Sequence, residues 1–485
     1  MAASYTPSKN KIMAPQHDVI IIGGGIVGLA VARELAQFQL NILLLEKEIE
    51  VGFGVSKSNS GIIHTGFQAH HNTLKAKLAV RGNKLYTKMA KNLDFPLQKT
   101  GELIVAFTET EKNKLKEIQQ NGKKLGIPQT MIVDENWLKA NEPKLSGNIK
   151  YALLAKTAGI INPYEAVYAM AENVLSNGVK IKCNEKVTAI KLLKESWQVK
   201  TQNKTYTSKI VVNAAGLFAD NISKLAGIDC ENTFPRKGEE FLLDKHVGKL
   251  SQRIIFPVPQ KLTKGILIIP TIDGNYMIGP TAEDILDKED LRTSKTGKEF
   301  VVKKVKKIVP SIKEDSIIAS FAGLRPATTS GDFHIQEDKN GFINLIGIQS
   351  PGLTAAPAIA EEVREIICGS LTLKPKQNYQ EKRKAIIRFR ELNHRERLAL
   401  IKKNPDYGEI VCRCELVTKG EIIEAIQRGA RTMDGLKFRT RSQMGRCHGA
   451  FCTMKIMHIL HQQLGSDYQQ ITKRGEGSHL AMDQL

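Results

Sequence analysis

The chain has 485 residues, 41% of them hydrophobic and 25% charged, and 71 Lys and Arg against 50 Asp and Glu give a formal net charge of +21. This is the composition of a globular protein of two or three domains; it excludes a low-complexity chain, and no apolar stretch is long enough to span a bilayer. The excess of cations indicates either a lysine-rich solvated surface or anionic partners, and with no nucleic-acid-binding motif and only 6% aromatic residues it does not point to nucleic acid.

Residues 1–15 are polar, with Lys9 and Lys11 and no acid, and are expected to form a disordered tail. Arginine is absent, so a transit peptide is the weaker reading. A cytoplasmic location, or one peripheral to a membrane, is expected, with the mitochondrial matrix left open. The short β-branched run Val19–Ile22 predicts a strand buried on both faces. Gly23, Gly25 and Gly28 then form G-x-G-x-x-G at the start of a helix predicted over 27–38. The first glycine permits a tight turn, the second lets a pyrophosphate approach the backbone, and the third lets helix and strand pack closely. A second strand, Ile42–Leu45, ends at Glu46, placed to accept hydrogen bonds from a ribose. Strand, glycines, helix, strand and acid in this order predict dinucleotide binding.

Further along, 61–67 is strand-like and carries His64, and 74–93 reads as an amphipathic helix. A strand at 101–107, an exposed helix at 111–125, a short helix at 136–141, and a turn at 159–163 before a helix over 165–175 follow. A strand is predicted over 179–190, then a hairpin to Tyr206 and a buried strand at 209–215. Residues 232–320 are strand-rich, 342–348 is another strand, and Ser350-Pro351-Gly352-Leu353-Thr354 opens a helix to Ile367. From 374 to 404 there are 11 Lys and Arg against 3 Glu, a net of +8, expected to form a basic helical connector that meets an acidic surface. The seven cysteines are uneven: Cys183, Cys230 and Cys368 are scattered, whereas Cys412, Cys414, Cys447 and Cys452 crowd the last quarter. No secretory signal is evident, so a reducing compartment and a metal site are expected over disulfides.

Four separated pieces resemble the FAD-dependent oxidoreductases of the D-amino-acid-oxidase and glycerol-3-phosphate-dehydrogenase type. They are the N-terminal fingerprint, SNSGIIHTG at 58–66, VVNAAG at 211–216, and GLRPATTSGD at 323–332 with IQSPGLTAAPAIA at 348–360. The resemblance implies an α/β fold, with a Rossmann-like FAD-binding domain and an inserted antiparallel-sheet substrate domain. It also implies cofactor contacts from Gly23, Gly25, Gly28, Glu46, Lys47, Ser60, Gly61, Val187, Ala215, Gly216, Gly352, Leu353 and Thr354. A helix opening at Gly352–Thr354 presents N–H groups suited to negative charge on a reduced flavin. His64 is the candidate base for a substrate hydroxyl, against the alternative of a satisfied core histidine. Arg325 is the candidate anion clamp, against a structural salt bridge. Lys237 and Glu239, in PRKGEEFLL, are secondary candidates, with a surface role the alternative.

Cys412-x-Cys414 and Cys447-x4-Cys452, with 419–427 helical in pattern between them, lie in VCRCELVTKGEI and RTRSQMGRCHGAFC, which resemble the bacterioferritin-associated-ferredoxin type of [2Fe–2S] module. Four thiolates are what such a centre requires, and zinc is the alternative. The resulting expectation divides the chain into a tail at 1–15, the oxidoreductase region at 16–373, the connector at 374–406, a small helical [2Fe–2S] module at 407–465 and a C-terminal tail at 466–485. With separate cores, the two modules are expected to hold their cofactors independently. The function implied is oxidation of a small anionic secondary alcohol, glycerol 3-phosphate first, with electrons passing through the cluster to an acceptor or partner redox subunit. A 2-hydroxy acid such as L-2-hydroxyglutarate is the alternative substrate, and an electron-transfer or scaffold subunit without its own substrate is the alternative class.

Overall fold

The computed structural model describes residues 16–259 and 265–481; the tail expected at 1–15 lies outside the described residues. Two large sheets and one small helical module make up most of the architecture among the described residues, with a three-stranded and a two-stranded sheet beside them. The first sheet has eight strands, with His17–Ile22 at its centre, parallel to Ile42–Leu45 on one side and to Thr205–Asn213 on the other. Its central strands are buried on both faces because side chains alternate across the pleat. Val19 and Ile21 enter one core with the helices, while Ile20 and Ile22 enter the other with Trp197 and Phe342. Each such fully buried aliphatic chain contributes about 1.5–3 kcal/mol.

Helices Ile26–Leu35, Leu74–Leu93, Pro163–Ser176 and Gly352–Cys368 cover the first face. The Leu74–Leu93 helix spans the predicted range, and its first turn is fixed by distant residues as well as by its cap. Thr73 caps Ala76 N–H, and the Asp332 carboxylate accepts from Leu74 and Lys75 N–H at 2.8 and 2.9 Å. Where this helix crosses Gly352–Cys368, a Cβ at Gly82 would lie 2.0 Å from the Thr354 carbonyl oxygen, so only glycine permits the approach.

The second sheet has nine strands, antiparallel except where Ile254–Pro257 runs parallel to Glu102–Ala106. It is built from two inserted stretches, and its long central pair is Phe234–Leu243 against Ile317–Ala327. Some expected elements differ. Only Ile62–Ile63 of 61–67 is strand, and it pairs with Gly159–Ile161, which is a strand and not a turn. The strand expected over 179–190 is two strands, Lys180–Lys182 and Val187–Leu192, which serve opposite edges of the first sheet.

The C-terminal module has its own core around Val411, Ile422, Leu436, Ile456 and Leu460. Its Lys419–Gln427 helix has the predicted bounds and begins with a capping box between Thr418 and Glu421. Two expectations about the flanks are revised. The connector's α-helix is confined to His394–Lys403, because several of its cations are drawn to carboxylates of the oxidoreductase region: Arg383 to Glu172 at 2.7 Å, and Arg390 to Asp273 at 2.6 Å. Residues 466–481 are not a tail: Ile471 is buried in the module core, and Thr472 bridges to His479. Among the described residues no helix is long and apolar enough to cross a membrane.

The module is clamped onto the oxidoreductase region by buried ion pairs, to a turn of the second sheet through Asp273 and to the first sheet's layer through Glu50. Arg441 reaches Asp273 at 2.6 Å and Glu415 at 3.0 Å, and Glu50 takes the Arg439 guanidinium and the Thr432 hydroxyl. A Cβ at Gly435 would collide with the Glu50 carboxylate, so glycine there lets the acid reach the helix start.

Candidate functional site

A cleft of about 1310 Å³ runs along the carboxyl ends of the first sheet's parallel strands and opens onto the second sheet. Of the residues expected at the cofactor, Gly23, Gly25, Glu46, Lys47, Ser60, Gly61, Val187, Ala215, Gly216, Gly352 and Leu353 line it, as do His64 and Arg325. The fingerprint glycines act differently. Gly23 has φ +113°, and a Cβ there would lie 2.4 Å from the Ala214 carbonyl oxygen. A Cβ at Gly25 would meet nothing closer than Ser56 Oγ at 3.1 Å, so its space belongs to the cleft. Gly28 is away from the cleft; a Cβ there would lie 2.0 Å from the Gly23 carbonyl oxygen, so this glycine serves helix–strand packing.

Glu46 is buried at the end of its strand and accepts from Gly24 N–H at 2.7 Å and Glu48 N–H at 2.9 Å. Burial raises its pKa, and those two backbone bonds work against the rise. The Ser56 hydroxyl accepts from Ile26 N–H at 2.9 Å, fixing the loop across the helix start. Ser56 lies inside a run of small polar residues, and its role was not visible without the loop's path. At the other end of the cleft, Gly352 N–H donates to the Gln349 carbonyl at 2.6 Å, so the cofactor-facing donors of that helix start are reduced to its later N–H groups. Thr354 is also revised: its side chain is turned inward, accepting from His64 N–H at 3.0 Å and donating to the Ile62 carbonyl at 3.2 Å. It therefore ties the His64 segment to the helix.

His64 is further held by its carbonyl, which accepts from Asn83 Nδ2 at 2.8 Å, and its ring lies 6.0 Å from that of Phe256. Arg325 is half-buried on the second sheet, with Nη2 donating to the Thr281 carbonyl at 2.7 Å. A Cβ at Gly238 would lie 2.1 Å from that Nη2, so glycine on the neighbouring strand makes room for the guanidinium. On the same strand the alternation decides the candidates. Arg236, Gly238 and Glu240 face the cleft, whereas Lys237 and Glu239 face away. Neither of the latter is a surface residue: Lys237 pairs with Asp290 at 3.2 Å, and Glu239 accepts from Ser294 N–H at 2.8 Å.

Glu240 is the residue that sequence reasoning missed. Its Oε1 accepts from the Ser60 hydroxyl at 2.5 Å, and its Oε2 is buried with no hydrogen-bond partner among the described residues. Burial pushes its carboxyl up to about 7, against the opposing pull of Ser60 and of the Arg325 charge.

The four clustered thiols fall into two pairs. Cys414 and Cys447 have Sγ atoms 3.3 Å apart, and Cys412 is hydrogen-bonded to Cys452. Backbone N–H groups also reach the sulfurs: Gln443 and Glu415 to Cys412, and Gly449 and Phe451 to Cys447. The Cys452 contact is the main influence drawing Cys412 down to about 6. Among the described residues no three such side chains converge as for a single metal ion. Two thiol pairs with N–H donors suit a dinuclear cluster, which takes four thiolates, better than a mononuclear zinc. The cleft likewise fits FAD, with the open space at Gly25, the acid Glu46 and the small residues Ala215 and Gly216 in one continuous volume.

The comparisons with known proteins agree with these two sites. Residues 18–366 match the family described as FAD dependent oxidoreductase (DAO), and residues 410–462 match the BFD-like [2Fe-2S] binding domain. The chain is 42% identical to a glycerol 3-phosphate dehydrogenase of Caloramator mitchellensis, over 96% of this chain and 98% of that one. The solved structure of L-alpha-glycerophosphate oxidase from Mycoplasma pneumoniae with FAD bound superposes with a TM-score of 0.73 at 34% identity, covering 76% of this chain and 98% of that one. A mitochondrial L-2-hydroxyglutarate dehydrogenase of Nematostella vectensis is 28% identical over 74% of this chain and 91% of its own length. The chain is therefore a member of the DAO family of FAD-dependent oxidoreductases, with a C-terminal BFD-like [2Fe–2S] domain.

Proposed function

We propose that the protein oxidises the secondary hydroxyl of a small anion, glycerol 3-phosphate to dihydroxyacetone phosphate, and passes the electrons through its C-terminal domain to an acceptor or partner redox subunit. The observation that carries this reading is the single cleft that joins the nucleotide fingerprint to His64, Arg325 and the Ser60–Glu240 pair. The similarity to the glycerol 3-phosphate dehydrogenase, which extends over both domains, supports the same substrate.

When bound, FAD accepts a hydride and the cluster carries single electrons; that chemistry belongs to the cofactors. The protein's own part is positioning and proton handling. His64, held through its backbone by Thr354 and Asn83, takes the proton of the substrate hydroxyl on its ring. Arg325 grips the anionic end with its planar fork, and Lys75 adds positive charge to the same cleft, whereas Arg236 is engaged by Asp284 at 2.6 Å. Glu240 sits beside the clamp and, when charged, offsets the Arg325 guanidinium that grips the anionic end. The basic helix His394–Lys403 is the part of the connector left to meet an acidic partner or an anionic membrane surface, in the cytoplasm or on its membrane face.

Turnover with an artificial electron acceptor tests the reading. Formation of one dihydroxyacetone phosphate per two electrons, with little product from L-2-hydroxyglutarate, is the expected result. The opposite preference would replace the substrate while leaving the enzyme class intact.

A further inference from the structure

The loop after the module's last long helix enters the oxidoreductase's cleft. Arg474 and Glu476 line the same volume as Gly25, Glu46 and Lys57, although more than 400 residues separate them from Lys57. The contact is built from the module side. Thr472 and Lys473 carbonyls accept from Met433 and Asp434 N–H at 3.1 and 2.8 Å, and Ile471 is in the module core. Inside the loop, Arg474 N–H donates to Ser478 Oγ at 2.9 Å and Gly475 N–H to Thr472 Oγ1 at 3.0 Å. The loop then lies on the strand end that carries the ribose acid: a Cβ at Gly475 would be 3.4 Å from Ile49 Cγ2.

Two cations from different domains are thereby brought to one wall. The Lys57 ammonium stands 4.6 Å over the Phe53 ring and 5.6 Å from the Phe438 ring, deep enough that burial is the main influence lowering its pKa. Arg474 and Lys437 are like charges within its electrostatic reach, while Asp434 and Glu48 oppose them, and Glu48 is itself engaged by Lys47 at 2.6 Å. Like charges held together beside an open cleft are stabilised when an anion lies between them. The nucleotide fingerprint places the phosphates and adenosine of the cofactor at this end, next to Gly25 and Glu46.

We propose that the Thr472–His479 loop of the [2Fe–2S] module is part of the FAD site, with Arg474 supplying a cation to the adenosine diphosphate half of the cofactor. FAD is then held jointly by the two domains. This revises the expectation that the modules hold their cofactors independently: disturbing the module loosens a wall of the flavin cleft. The contact lies outside residues 18–366, the part of the chain that matches the oxidoreductase family.

Titration of flavin-free full-length protein with FAD, ADP and FMN tests the assignment by binding and not by turnover. Arg474→Glu is expected to raise the dissociation constants of FAD and ADP about tenfold or more, the scale of one charge-assisted hydrogen bond, and to leave that of FMN within about twofold. Arg474→Lys should recover most of the loss, and Arg395→Glu, on the exposed connector helix, should do nothing. Iron content and far-ultraviolet circular dichroism, unchanged in Arg474→Ala, separate a lost contact from a lost fold. FAD and ADP constants within about twofold of the unaltered protein would overturn the proposal, and so would an equal loss for FMN, because Arg474 would then act at the flavin end.

Discussion

The Ser60 hydroxyl donates to Glu240 Oε1 at 2.5 Å, joining the flavin-side loop to the strand that faces Arg325. With its carboxyl pushed up to about 7 by burial, Glu240 is neutral below that pH and charged above it. When neutral, it leaves the Arg325 charge uncompensated for an anionic substrate. Substrate binding should therefore weaken as pH rises through about 7. In Glu240→Gln this step should vanish, with tighter binding retained at high pH, whereas the substrate's own phosphate ionisation, near 6, persists in both proteins. Anaerobic titrations of flavin absorbance from pH 6 to about 8.5 would show it; an unchanged step in the variant would remove Glu240 from the account.

Gly25→Val and Gly28→Ala should fail in different ways. The first places side-chain atoms where the protein itself offers only Ser56 Oγ at 3.1 Å, so the protein should fold without retaining flavin. The second forces a Cβ against the Gly23 carbonyl and should lower stability by about 1–3 kcal/mol. Denaturant unfolding together with flavin content distinguishes the two, and yellow, FAD-loaded Gly25→Val would show that the fingerprint does not hold the pyrophosphate.

These cases show what could be read from the residues. The fingerprint, the amphipathic helix at 74–93 and the capped helix at 419–427 depend on local pattern and were legible. Glu240 was not, because PRKGEEFLL alternates and the sequence does not say which of its faces meets the cleft. The run of cations at 374–404 suggests a basic helical connector, yet Arg383, Arg388 and Arg390 pair with Glu172, Glu165 and Asp273, all distant in sequence. The Arg474 loop was hidden for the same reason: its partner surface lies at the other end of the chain.

Removing Arg441 should test the clamp between the domains. It shares the buried Asp273 and Glu415 with Arg390, which stands 2.6 and 3.5 Å from them, so its loss removes only part of their compensation and should cost less than the roughly 3–5 kcal/mol of a lone buried pair. Hydrogen exchange should quicken in the module and around Tyr164, whose hydroxyl accepts from Arg441 at 2.9 Å, in Arg441→Ala, and unchanged protection would show the pair to be incidental.

For the cluster, two irons and two acid-labile sulfides per chain are expected, lost in Cys414→Ser or Cys447→Ser. Protein made with adequate iron and kept from air is required for the assay. Stoichiometric zinc in the unaltered protein would refute electron relay through this domain.

The most direct test of the central claim is stopped-flow bleaching of the flavin by glycerol 3-phosphate without oxygen. The unaltered protein should be reduced by glycerol 3-phosphate and much less by L-2-hydroxyglutarate. His64→Ala should slow the bleaching about 10²–10⁴-fold with a smaller effect on binding, and Arg325→Ala should mainly raise the dissociation constant, incompletely restored by lysine. A His64→Ala protein bleached at the unaltered rate would show that the base is wrong, and a flavin that no small hydroxy anion bleaches would contradict the dehydrogenase reading itself.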